Sequence, residues 1–274
     1  MKAEIRNGLL TSMNSFLSAL SFLTIFPVPA GAVNEQSLRR SIVFFPSIGL
    51  ILGAIASVMA YFTYGLFPAQ IVAVFLVIFH LIITRGLHID GLSDTFDGFL
   101  GGKDPENTLR IMKDPSTGVF GVTAIAACVL CRLTAYDVIL TNLNEKAVYG
   151  ILLFAYSTSR WTPVLLSYST PPVPGHQGLG NLFAKNVNIA ILFFSAIPAI
   201  LAGILFLQLW AVIGLAGAIM LVFALRRSAM AKIGGLTGDI SGCSIELTET
   251  ALLFGAAIAC FIQPVLGIDP HVFF

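Results

Sequence analysis

Apolar runs of membrane-spanning length constrain this chain more than any other feature. From Ile71 to Thr84 it reads IVAVFLVIFHLIIT without a single charge, and from Val187 it stays apolar to Leu225. About 20 consecutive apolar residues cross a bilayer as an α-helix, and in lipid only helices and closed barrels satisfy their own backbone. Candidate spans are Arg40 to Gly65, Pro68 to Thr84, Gly118 to Leu140, Ala147 to Tyr168 and Thr248 to Gly267. The run from Val187 to Leu225 is too long for one span and reads as a hairpin turning near Leu207-Gln208. An eighth segment, Leu9 to Phe26, carries seven Ser, Thr and Asn residues and suits the bundle interior or the interface better than lipid. The expected fold is all-α: a polytopic membrane helix bundle of seven to eight membrane helices, in a single domain over 1–274. A mean hydropathy of +0.90 excludes an ordinary soluble domain. A net charge of +1 excludes nucleic-acid binding driven by overall charge. Lys2 and Arg6 precede an apolar stretch without a small-residue cleavage site, so the N-terminus reads as part of the mature protein. The four cysteines read as small apolar fillers, because no second CxxC or histidine pair completes a metal site around Cys128 and Cys131.

The connections between spans are of two kinds. Those near Phe67, Asn142 to Lys146 and Leu207-Gln208 are short. Those at Pro27 to Arg39, Arg85 to Thr117, Ser169 to Asn186 and Arg226 to Leu247 are long, and all four fall on one side. That side holds ten lysines and arginines (Arg39, Arg40, Arg85, Lys103, Arg110, Lys113, Lys185, Arg226, Arg227 and Lys232), against Lys146 alone on the other. Basic loops stay in the cytoplasm, so the long-loop face is expected there, in a multi-pass protein of the cell membrane whose site faces inward.

The charge that the chain does carry is concentrated on that face. HIDGLSDTFDGFLGG, from His88 to Gly102, holds Asp90, Asp94 and Asp97. On a helix these are spaced i, i+4 and i+3, so all three share one face. Three like charges on one face repel unless a cation sits among them, and hard oxygen ligands suit Mg²⁺ or Mn²⁺. Mg²⁺ takes few carboxylates and leaves other positions to water and substrate phosphate, which points to a phosphate-bearing substrate. The plainer alternative is a solvated loop, although a loop needs polarity rather than aspartates in helical register.

A second acidic, glycine-rich stretch, GGLTGDISGCSIELTE, runs from Gly234 to Glu249 and holds Asp239, Glu246 and Glu249. Glu246 and Glu249 stand at the start of the last span, where acids also complement a helix N-terminus; Asp239 has no such explanation. The two clusters are expected to meet across one cation. Arg160, inside a span, is expected to pair with a carboxylate or a substrate phosphate. Lys113 and Asp114 are candidate phosphate contacts, His88 a base or ligand, His80 a packed core histidine, and Arg132 with Asp137 a structural pair within one helix.

Taken together, FLTIFPVP (Phe22 to Pro29), HIDGLSDTFDGFLGG, IMKDPSTGVFG (Ile111 to Gly121), GLGNLF (Gly178 to Phe183) and GGLTGDISGCSIELTE resemble the cobalamin synthase family of adenosylcobinamide-GDP ribazoletransferases. The motifs follow the family's order across nearly the whole chain. Ser93 and Cys243 stand where the family tends to have Ala, and Pro115 to Thr117 departs from its usual Ser-containing run. The resemblance implies a Mg²⁺-dependent transfer at a lipid bilayer. In it α-ribazole or its 5′-phosphate attacks the pyrophosphate of adenosylcobinamide-GDP and GMP leaves. With the readings above, the expected site has catalytic His88, Asp94, Lys113 and Asp239, substrate-binding Asp114, Arg160, Gly178, Gly238 and Glu246, and metal-binding Asp90, Asp94 and Asp97. A homo-oligomer is compatible with the sequence. The DGxxDxxDG spacing is also similar to that of CDP-alcohol phosphotransferases, but the Ala-Arg after the first Asp-Gly is missing. A transporter would spread its acids mid-span rather than gather them in loops at one face.

Overall fold

The structure, a computed structural model, describes residues 2–175, 178–184 and 186–265; Lys185 and His176 lie outside them. The described chain is a helix bundle. Its elements are α1 (Lys2–Leu23), α2 (Glu35–Ser41), α3 (Phe45–Thr63), α4 (Ala69–Ile83), α5 (Leu87–Gly101), α6 (Pro105–Ile111), α7 (Val119–Asn142), α8 (Glu145–Ser169), α9 (Leu179–Ala184), α10 (Ile189–Phe206), α11 (Gln208–Ile233) and α12 (Gly238–Val265).

The centre is α8, buried along nearly its whole length. The register of its contacts makes it antiparallel to three neighbours. Against α3, Gly49 meets Tyr156 and Gly53 meets Leu152, where a Cβ would come within 2.3 and 2.8 Å of the opposing carbonyls. Small residues let helix backbones approach this closely. Against α10, Gly150 meets Phe206 and the Trp161 indole N–H donates to the Leu192 carbonyl at 3.1 Å. Against α12, Thr162 pairs with Ser244 at 3.0 Å and Arg160 with Glu249.

Five helices are long and apolar enough to cross a membrane, or six if the bent pair α4 and α5 counts as one span. That is fewer than the seven to eight expected, and the reasons are local. In α4, 15 residues end at a break where Arg85 (φ 55°) and Gly86 (φ 69°) are both left-handed, and α5 leaves at 86°. The strained arginine is held by its Nη2, which donates to the Ser21 carbonyl at 2.8 Å. In α8, Ser157, Thr158, Ser159, Arg160 and Thr162 lower the apolarity, yet all are buried by protein rather than exposed to lipid. The apolar part of α1, Leu10–Leu23, is short, and it packs on the long-loop ends of its neighbours: Phe16 on Phe44, Ser18 on Ser37, Phe22 on Phe45.

The hairpin falls where expected, with α10 ending at Phe206 and α11 starting at Gln208, at φ 42°. The two kinds of connection separate in space. Tyr64, Leu140, Leu143 and Tyr149, from two short connections, line one hollow. On the opposite face the Leu236 N–H donates to the Pro171 carbonyl and Arg226 to that of Ser169, tying two long connections together. Those connections are largely helical: α5 and α6 fill the stretch expected as a loop from Arg85, and α11 continues through Arg226, Arg227 and Lys232.

Candidate active site

The 86° bend after α4 brings α5 against the N-terminal end of α7, where Asp97 meets Gly118 and Gly121, and against that of α12, where Gly91 meets Asp239. The aspartates share a helix face but have different environments. Asp90 is exposed, Asp94 half-buried and Asp97 buried. The Asp97 carboxylate accepts from the Gly118 N–H at 2.7 Å and the Gly121 N–H at 2.9 Å. Gly118 is the N-cap of α7 and offers no side chain of its own, so Asp97 caps that helix from outside and answers its dipole. Both glycines are required for this approach, since a Cβ on either would fall within 2.5 Å of a carboxylate oxygen. This structural task was not read from the sequence. Asp94 is pushed up to about 7 by burial and by the charges of Asp90, Asp239 and Asp97. The carboxylates on α5 and α12 therefore lie close enough to oppose each other's ionisation.

The meeting of the two helices is direct. A Cβ on Gly91 would lie 2.7 Å from the Asp239 carbonyl oxygen. Asp239 stands in the first turn of α12, so it is Asp239 that has the helix-start explanation. Glu246 and Glu249, placed there by the sequence reading, are more than two turns into the helix. Asp90, His88, Gly238 and Asp239 line one cleft. His88 is 2% exposed, and neither ring nitrogen has a hydrogen-bond partner among the described residues. Burial, then the nearby Arg160 charge, lowers it to about 3. A histidine so weakly basic is a poor proton acceptor at neutral pH.

The other expected residues scatter. Lys113 and Asp114 are exposed on the turn between α6 and α7. Asp114 accepts from the Ser116 N–H at 2.9 Å, which holds its carboxyl below the usual range and stabilises the turn. Gly178 is exposed, and its carbonyl accepts the Leu182 N–H at the start of α9.

Glu246 and Arg160 line no part of the cleft. They belong to a separate ionic network sealed inside the bundle. Glu246 meets His80 Nε2 at 2.9 Å and Arg132 Nη2 at 2.8 Å; Glu249 meets His80 Nδ1 at 3.0 Å and Arg160 Nη1. Each of these side chains is at most 2% exposed. Two carboxylates face two guanidiniums, so the buried charge balances, as low dielectric demands. Arg132 therefore pairs with α12 rather than with Asp137, and the buried His80 ring lies between two acids, with its Nε2 hydrogen-bonded to Glu246. Cys128, expected as an apolar filler, is buried but hydrogen-bonded, its Sγ 3.0 Å from Thr250 Oγ1.

Three cleft residues escaped the sequence reading. Phe22, Phe45 and Phe183 stand with ring centroids 5.4–5.9 Å apart, from α1, α3 and α9. Two belong to motifs noticed for other reasons, FLTIFPVP and GLGNLF, but single phenylalanines in an oily chain carry no signal.

The fold and the site define a class: a helical membrane bundle with a carboxylate-rimmed cleft on its long-loop face. The family model for cobalamin-5-phosphate synthase (CobS) matches residues 15–257, and the chain belongs to that family. Curated relatives named adenosylcobinamide-GDP ribazoletransferase include one from Syntrophobacter fumaroxidans, 36% identical over 249 residues, which cover 88% of this chain and 97% of the relative. Another, from Chlorobaculum parvum, is 33% identical, covering 90% and 96%. A third, from Clostridioides difficile, is 32% identical, covering 91% and 99%. No solved structure matches the chain.

Proposed function

We propose that this chain is an adenosylcobinamide-GDP ribazoletransferase that works at the cytoplasmic face of the cell membrane. The observation carrying this reading is that Asp90 and Asp239, from acidic motifs in opposite halves of the sequence, line one cleft. A ribose hydroxyl of α-ribazole or its 5′-phosphate forms a new O–P bond to the phosphate attached to cobinamide. The pyrophosphate bridge breaks, GMP leaves with the bridging oxygen, and the hydroxyl proton passes to a base. Asp94, half-buried on the same helix face as Asp90, is a carboxylate suited to take that proton, and burial leaves His88 too weakly basic for it. Lys113 is an exposed cation on the same face, suited to hold a phosphate.

Mg²⁺ is part of the proposal. Among the described residues no three side chains form a ready coordination shell. Hydrated Mg²⁺ needs only one or two carboxylates with substrate phosphate, and the mutual repulsion at Asp94 is the charge a cation would offset. Asp90, Asp94 and Asp239 are the ligands this favours, with Asp97 already engaged by α7. When bound, the ion would neutralise charge developing on the pyrophosphate.

The test is purified protein in nanodiscs with adenosylcobinamide-GDP, α-ribazole and Mg²⁺. GMP release that stops with EDTA is expected, and its absence overturns the reading. Orientation is tested by labelling cysteines introduced at Gly101 and Asn144 in intact cells. Outside labelling at Gly101 would reverse the assigned sidedness.

A further inference from the structure

The cleft beside Asp90 and Asp239 is not built like a simple phosphate site. The aromatic triad Phe22, Phe45 and Phe183, from α1, α3 and α9, forms part of its wall with Leu23, Leu87 and Ile245. Phe45 and Phe183 are almost fully buried, at 2% and 3% exposed. At the same cleft sits His88, buried, with both ring nitrogens unpartnered. A fully buried imidazole without partners is costly for a core that does nothing but pack. It is accounted for if a ligand brings the missing partner.

We propose that this cleft receives the flat base of the incoming nucleoside, with the phenylalanine rings against its faces and His88 hydrogen-bonded to its free ring nitrogen. The inference rests on the ribazoletransferase reading above and deepens it. Two heterocycles are present in that reaction, the benzimidazole of α-ribazole and the guanine of the activated corrinoid. The guanine edge carries several donors and acceptors, each of which would need its own polar partner, whereas the one fully buried polar side chain lining the cleft is His88, with Asp90, Asp239 and Ser241 nearer solvent. The benzimidazole presents one unshielded ring nitrogen and is otherwise apolar. One buried, unpartnered imidazole in a cleft also lined by phenylalanines complements the second pattern. The ribose would then lie toward Asp90 and Asp239, at the rim where the phosphate chemistry is proposed. His88 is in this account a specificity-determining residue that binds substrate and leaves proton transfer to the aspartates.

The test uses the full chain in nanodiscs and reads binding as well as turnover. The probe is α-ribazole, followed by its benzimidazole fluorescence without corrinoid; the comparison ligand is the matching indole nucleoside, which lacks the free ring nitrogen. Phe183→Ala is expected to weaken α-ribazole binding roughly 5- to 100-fold, the usual range for losing a stacked base, while the KM for adenosylcobinamide-GDP stays within about twofold. Wild type is expected to prefer α-ribazole over the indole nucleoside by roughly 3- to 10-fold, the worth of one neutral hydrogen bond, and His88→Phe to remove that preference. A merely structural His88 would weaken both ligands alike. Phe183→Leu, which keeps the bulk and removes the aromatic face, stands in if Phe183→Ala does not fold. Unchanged α-ribazole binding in the Phe183 variants, a rise in corrinoid KM instead, or an intact preference in His88→Phe overturns the cleft assignment. A wild-type protein that binds α-ribazole yet releases no GMP overturns the activity reading instead, so the two failures are separable.

Discussion

Gly91 gives the sharpest test of how the site is assembled. A Cβ there would lie 2.7 Å from the Asp239 carbonyl oxygen and 3.1 Å from its Cα. These are backbone atoms, so no side-chain rotation relieves the clash. Ordinary contact begins at 3.4 Å, and Gly91→Ala must separate α5 from α12 by 0.7 Å at that point. Overpacking of this kind costs about 1–3 kcal/mol, and alanine returns up to about 1 kcal/mol through helix propensity. The net loss of stability is therefore modest. Catalysis should suffer more, because the gap opens between Asp239 and the α5 aspartates, and a misplacement near 1 Å costs on the order of 100-fold. Gly101→Ala on the same helix is the control, since its new Cβ would find nothing closer than 3.6 Å. The assay pairs GMP release with thermal melting in detergent. The expected pattern is a folded Gly91→Ala with kcat down roughly 100-fold and a Gly101→Ala close to wild type. A folded Gly91→Ala with wild-type kcat, or equal losses in both variants, would refute the claim that the α5–α12 contact sets the site.

Asp97→Ala should lower stability by about 1–3 kcal/mol, because it strands two backbone N–H groups at the start of α7, and a melt matching wild type would sink the capping role. Arg132→Met should cost about 3–5 kcal/mol by leaving buried carboxylate charge uncompensated, and adding Glu246→Met should recover much of it; a double variant no better than the single contradicts the network. Asp94 titrates near 7 when folded and at 3.8 ordinarily, so the folded state holds the extra proton between those values. Its contribution to stability is then present at low pH and lost as pH rises toward and through 7. In EDTA the protein should melt lower at pH 8 than at pH 5.5. Mg²⁺ should narrow the gap at pH 8, and Asp94→Asn should shrink it without Mg²⁺; an unchanged gap in both would refute the assignment.

What the sequence alone determined is what depends on local spacing. Uninterrupted apolar runs made a helical membrane bundle unavoidable, because lipid offers the backbone no other partners. The i, i+4 and i+3 spacing put Asp90, Asp94 and Asp97 on one helix face, and the alternation of long and short loops sorted them onto two sides. The hairpin at Leu207-Gln208 followed from length. Tertiary structure decided whatever depends on neighbours distant in sequence. The span from Ala147 to Tyr168 was legible, but only packing shows that the polar middle of α8 is buried by other helices. Charges found partners by packing rather than proximity: Arg132 meets Glu246 across two helices and ignores Asp137 on its own. Asp97 looked like its two neighbours until the start of α7 was laid against it. Phe22, Phe45 and Phe183 became a cleft only when three separate elements converged, because each ring alone is indistinguishable from core.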